Sequence, residues 1–162
     1  MSLEEFRNIT KQNLWSNYVH LLLTQSSHSQ ETIQNFGVYW IEAGHRIREQ
    51  VSDDCLLVTL LRHILPIYKD NSVKLYRGEN QERWELGKIG LAWTKNIDTA
   101  KMFASGLNST PVGGVLLKGN FQPEAVISGP NAHSKYLGED QFTIDPFCIT
   151  NIEIIEKFSP CC

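Results

Sequence analysis

Long apolar runs are missing from this chain: the longest span a few residues. A membrane-spanning helix needs roughly 20, so no such helix is predicted. Cysteine is sparse, with four residues at Cys55, Cys148, Cys161 and Cys162. No C-x-x-C pair occurs, and no histidine stands at zinc-site spacing from a cysteine. A resident metal is therefore not expected, and the thiols read as small hydrophobes or exposed groups rather than disulfides. Met1-Ser2-Leu3-Glu4-Glu5 carries neither the basic start nor the apolar core of a secretory signal. Together these features predict a cytoplasmic protein. Positive charge is not in excess either. The formal net charge of -3 removes any electrostatic reason for non-specific binding to nucleic acid or an anionic membrane, and no membrane partner is expected; a nucleic-acid substrate held in a small local basic patch remains compatible with that charge. Internal repeats and low-complexity linkers are also absent.

What is present is one ordinary soluble domain: 162 residues, 41% hydrophobic and 20% charged. Its character changes near Asn71. Before that point apolar residues recur at helical spacing: Leu3, Phe6 and Ile9, then Leu14, Tyr18, Leu21 and Leu22. A helix is predicted from Glu31 to Gln50, with Ser29 as a candidate cap, and another from Asp53 or Asp54 to Ile64, stopped by Pro66. After Asn71 the pattern shortens to strand-sized pieces at Val73–Gly78, Gly90–Thr94, Gly114–Gly119, Ala125–Ile127, Gln141–Asp145 and Ile152–Glu156. One helical stretch, Asn96 to Ser105, interrupts them and ends at Gly106. A helical block followed by a strand block predicts an α+β fold.

Three segments of the second half carry chemistry. Arg77 ends the first strand between Tyr76 and Gly78. An arginine there offers a planar fork to a phosphate, and a glycine lets a ligand approach the backbone. Ala92-Trp93-Thr94 follows, leading directly into the helix that carries Phe103. A small residue, an aromatic and a hydroxyl suit a flat aromatic ligand. The plain alternative puts Trp93 and Phe103 in the core, with Thr94 or Asn96 capping the helix. The third segment is Glu139-Asp140-Gln141. Strand alternation would project Glu139 and Gln141 from one face, where a carboxylate and an amide recognise sugar hydroxyls.

In this order, the segments resemble the arginine-serine-glutamate class of mono-ADP-ribosyltransferases, the cholera-toxin-like group. The resemblance runs from Val73 to Ile155 and rests on Leu75-Tyr76-Arg77-Gly78-Glu79, on Gly90-Leu91-Ala92-Trp93-Thr94 with Thr99–Ala104, and on Glu139–Pro146. It implies a single domain over 1–162, in which a helical N-terminal layer (1–70) packs on an NAD-binding split β-sandwich (71–158). It also implies NAD as co-substrate and transfer of ADP-ribose to a macromolecular acceptor, protein or nucleic acid, with release of nicotinamide.

The resemblance assigns roles to individual residues. Arg77 matches the family arginine that contacts NAD phosphate, with Tyr76, Gly78 and Phe103 beside the cofactor. Ala92-Trp93-Thr94 matches the serine-threonine-serine motif, with Thr94 as the surviving hydroxyl. Glu139-Asp140-Gln141 matches the Glu/Gln-x-Glu pair. The stretch from Asn131 to Gly138 matches the loop that meets the acceptor, with His133 and Tyr136 as candidate contacts. The sequence departs from the pattern at Ala92, where the family has serine, and at Gln141, where it has its catalytic glutamate. An amide there keeps a hydrogen bond but supplies no negative charge to a cationic transition state, a change that typically costs on the order of a hundred- to a thousand-fold in rate. Three explanations stand side by side: Glu139 is the catalytic carboxylate in a register shifted by two; Gln141 is an inactivating change; or the domain binds NAD without turnover. A further alternative is a protein-binding helical layer presenting Trp15, Tyr18 and Trp40.

Overall fold

Ser2 opens the first helix with a reciprocal pair of bonds. Its hydroxyl accepts the Glu5 N–H at 3.2 Å, and the Glu5 carboxylate accepts the Ser2 N–H at 2.6 Å. The computed structural model describes residues 1–160; Cys161 and Cys162 lie outside them. The described residues divide into two compact units, the first ending at Ile67 and the second beginning at Tyr68 in the chain, close to the change of character expected near Asn71.

The N-terminal unit is helical: α1 (Leu3–Lys11), α2 (Trp15–Thr24), α3 (Gln30–Val51) and α4 (Asp54–Ile64). Side chains start the later helices as well. The Ser29 hydroxyl accepts the Thr32 N–H at 3.2 Å, and the Asp53 carboxylate accepts the Leu56 N–H at 3.0 Å. α3 is interrupted at Ala43 (φ -140°, ψ 19°) and stops at Ser52, whose backbone is left-handed (φ 56°). The apolar stripes meet in one core. Phe6 lies 6.1 Å from Trp15 and 5.6 Å from Phe36, centroid to centroid. Leu57, Leu60, Leu61 and Ile64 of α4 are buried too. Thr10 satisfies two buried polar tips, accepting Trp15 Nε1–H and Tyr39 O–H at 2.7 Å each. Trp15 and Trp40 are therefore core residues, buried to 0% and 5% exposure. They are not the surface aromatics that a protein-binding layer would present.

The C-terminal unit holds every described strand: β1 (Val73–Asn80), β2 (Ala92–Thr94), β3 (Gly114–Phe121), β4 (Val126–Ser128), β5 (Gln141–Ile144) and β6 (Glu153–Phe158). The fold is α+β. The strands form one antiparallel sheet in the order β4-β5-β2-β1-β3-β6. Helices α5 (Gln81–Glu85), α6 (Ile97–Ser105) and α7 (Ala132–Tyr136) lie between them in sequence. On one face Val73, Leu75, Trp93, Val115, Leu117, Phe142 and Ile144 form the core of this unit. On the other face α6 packs on β1 and β3 through small residues, with Ala100, Ala104 and Leu116 buried together.

The join at the middle of the sheet is narrow. β1 pairs with β3 along its whole length, from Val73↔Phe121 to Asn80↔Gly114. With β2 it shares the single registered pair Tyr76↔Thr94. The sheet is thus two three-stranded halves, β4-β5-β2 and β1-β3-β6, joined at one backbone pair.

Candidate functional site at the junction of the half-sheets

The segments singled out from sequence meet on β1, β2 and β5, the third only through Gln141; these strands are consecutive in the sheet although Arg77 and Gln141 lie 64 residues apart in the chain. Thr94 stands between Tyr76 on one side and Gln141 on the other. Directly opposed residues share a face, so Tyr76, Thr94 and Gln141 form a polar row across the three strands. Ala92 opposes Thr143 in the next row of the same face. The Thr94 hydroxyl accepts the Asn96 N–H at 3.0 Å, while Asn96 itself caps α6.

Alternation assigns Arg77 and Glu79 to the opposite face, in line with Val73 and Leu75. Their side chains reach from β1 to β2 and the segment before it, beyond the single registered pair. Arg77 Nη1 donates to the Ala92 carbonyl at 2.8 Å, and Arg77 Nε donates to Glu79 Oε2 at 2.8 Å. The same Oε2 accepts the Gly90 N–H at 2.8 Å, and Oε1 accepts the Asn80 N–H at 2.9 Å. Arg83 Nε, on a half-exposed side chain, lies 3.4 Å from Oε1. Arg77 Nη2 lies against Gly90, where a Cβ would fall on it. Glu79 is only 1% exposed. Burial by itself disfavours its charged form. The Arg77 charge and the bonds from Arg77, Gly90 and Asn80 outweigh that, holding the carboxyl below its ordinary range.

Several expectations need correction. Trp93 is 1% exposed, stands edge-on to Phe121 at 5.0 Å and donates its indole N–H to the Gly90 carbonyl at 3.1 Å. It is a core residue; its ring is not open to a cofactor. Gly78 permits a close approach, but of α6 rather than of a ligand. A Cβ there would collide with the Ala100 carbonyl oxygen and the Ala104 nitrogen. Glu139 and Gln141 do not project side by side from one strand. Glu139 lies in the turn after α7, where its N–H and that of Asp140 both donate to the Ser134 carbonyl. Asp140 then adopts a left-handed backbone (φ 42°), and β5 begins only at Gln141. Gln141, not Glu139, is therefore the residue opposite Thr94.

The stretch expected to be an acceptor loop contains α7 instead, capped by the Asn131 side chain accepting the Ser134 N–H at 2.8 Å. Within it His133 is half-buried and Tyr136 is 86% exposed. Phe103 is half-buried on α6.

Glu79 and Gly90 carry more of the geometry than the sequence reading assigned to them. The signal was present: two-residue spacing puts Glu79 on the same strand face as Arg77. Among the described residues no cluster of three or more His, Cys, Asp or Glu side chains could hold a metal, and no helix is long and apolar enough to cross a membrane. Comparison of the chain with family models, with curated proteins and with solved structures found no match.

Proposed function

We propose that the C-terminal unit binds NAD at the junction of the two half-sheets and transfers its ADP-ribose to a macromolecular acceptor. The observation that carries this reading is the single-pair join at Tyr76↔Thr94, with Arg77 reaching from β1 to β2 beside it. A sheet so divided supports the split β-sandwich of the arginine-serine-glutamate ADP-ribosyltransferases. Arg77 supplies positive charge for the diphosphate from one face of the junction, while half-buried Tyr76 and Gln141 offer a hydroxyl and an amide to a ribose from the other. In the reaction the bond from ribose C1′ to the nicotinamide nitrogen breaks, and nicotinamide leaves with the bonding pair. An acceptor nucleophile bonds to C1′ and gives up its proton. The acceptor is a protein or a nucleic acid met inside the cytoplasm. Incubation with NAD labelled in the ADP-ribose portion and with cell lysate tests the proposal: a labelled macromolecule and free nicotinamide are expected, and the absence of both overturns transfer.

A second reading is favoured by one residue. The position opposite Thr94 holds an amide, so no carboxylate in the row offsets charge developing at C1′. On this reading the unit binds NAD, or a partner through the same fold, without turnover. Saturable NAD binding with no nicotinamide release distinguishes it.

A further inference from the structure

The carboxylate beside Arg77 has no role in the chemistry above, yet it is among the most deeply buried polar groups of the unit. We propose that Glu79 is a positioning residue, holding the Arg77 guanidinium where it reaches from β1 to β2 so that it meets the diphosphate of NAD. This inference rests on the NAD reading. Glu79 Oε2 accepts both Arg77 Nε–H and the Gly90 N–H, at 2.8 Å each. One oxygen thus ties the guanidinium to the backbone it lies against. Gly90 completes the seat, because a Cβ there would fall on the Arg77 Nη2 and Cζ atoms. The Ala92 carbonyl takes Nη1 at 2.8 Å, so the fork is held from both strands.

The charge balance points the same way. Two guanidinium groups, Arg77 and Arg83, surround one carboxylate, which leaves a net positive cluster suited to an anion. Without Glu79 the two cations would repel one another, and Arg77 would lose the partner that fixes its direction. An arginine whose rotamer is set before the ligand arrives spends less entropy on binding.

Titration calorimetry with NAD on the full chain tests the proposal, using Glu79→Gln, Arg77→Ala and the double variant. Glu79→Gln should weaken NAD binding on the order of ten- to a hundred-fold, the usual effect of removing a group that orients a ligand-binding side chain. The double variant should bind no more weakly than Arg77→Ala, because Glu79 acts through Arg77. The salt dependence of NAD affinity should flatten in Arg77→Ala, which removes a cation, and not in Glu79→Gln, which removes an anion; a general folding defect would not separate the two in this way. A folded Glu79→Gln chain that binds NAD like the wild type overturns the proposal, and so does a double variant whose loss is the product of the two single losses. Should Glu79→Gln fail to fold, Gly90→Ala takes its place. It leaves the carboxylate intact and displaces the guanidinium, and undiminished NAD binding by that variant is equally fatal. A wild-type chain with no affinity for NAD overturns the NAD reading and this inference together; loss of the Glu79 effect alone leaves the NAD reading standing.

Discussion

Thr94 opposes Gln141 in the β2–β5 ladder, with Tyr76 paired to Thr94 from the other side. The polar row at the junction therefore ends on an amide, and the acidic residues next to it in the chain, Glu139 and Asp140, precede the strand in a turn. Gln141→Glu places a carboxylate of almost the same size in that row. If the unit transfers ADP-ribose, nicotinamide release should rise on the order of a hundred- to a thousand-fold, the worth of one preorganised electrostatic contact. Chromatographic detection of nicotinamide over time measures it. An unchanged rate would argue that the row does not face the reacting sugar, whereas Glu139→Gln should leave the rate of either chain unaltered.

Gly78 is held by packing rather than by a ligand. The Cβ of an alanine at this position would lie 3.0 Å from the Ala104 Cα and closer still to α6 backbone atoms. Backbone cannot swing aside as a side chain can, so α6 must shift. Gly78→Ala should cost about 1–3 kcal/mol of stability, read as a lower urea midpoint. A variant as stable as the wild type would mean that α6 rides loosely on β1.

The elements that periodicity revealed are those whose own residues decide them. The α3 stripe through Phe36, Trp40 and Ile47 is buried as its spacing requires. β1 and β3 were legible because Val73, Leu75, Val115 and Leu117 alternate inward. Helices α5 and α7 were not, because five residues are too few to show a period; each is started by an asparagine cap, Asn80 or Asn131, a signal shared with ordinary turns. At the site, the alternation argument failed at Glu139 because it assumes extended backbone, and Asp140 leaves that region. The burial of Glu79 was hidden for a different reason. A lone glutamate after a glycine reads as a solvated strand end; its backbone partner Gly90, which donates to its carboxylate, is eleven residues on in the chain.

His28 gives the N-terminal unit its own pH dependence. Its half-buried ring stands edge-on to His63, centroids 5.1 Å apart. Burial, followed by the charge that His63 would carry, holds the His28 imidazole below the ordinary histidine value. The neutral form is the one the fold favours, so the unfolded chain takes up more protons on acidification. Stability is therefore complete above about pH 6.5, falls as pH drops through that value, and levels off below the depressed value of the folded state. His28→Asn should flatten that part of the curve. Urea midpoints measured between about pH 7 and pH 5 provide the check; parallel curves for variant and wild type would remove His28 as the cause.

Glu79 works in the acid direction for the opposite reason. Burial disfavours its ionised form, but the Arg77 charge and the three hydrogen bonds prevail and the carboxyl is held low. The folded state thus keeps Glu79 ionised where the unfolded chain would begin to protonate it. Its contribution is fully present above about pH 4.3, the ordinary glutamate value, and is lost as pH falls from there through the lower folded value. At neutral pH, Glu79→Gln leaves Arg77, with a side chain 16% exposed, without its ionic partner. That should cost about 3 kcal/mol. The cost should shrink with acidification, because the wild type loses its advantage as Glu79 takes up a proton and the variant has none to lose. Denaturation series at neutral pH and near pH 3.5 measure the gap. A gap of equal size at both would show that packing around the side chain, and not its charge, is what residue 79 contributes.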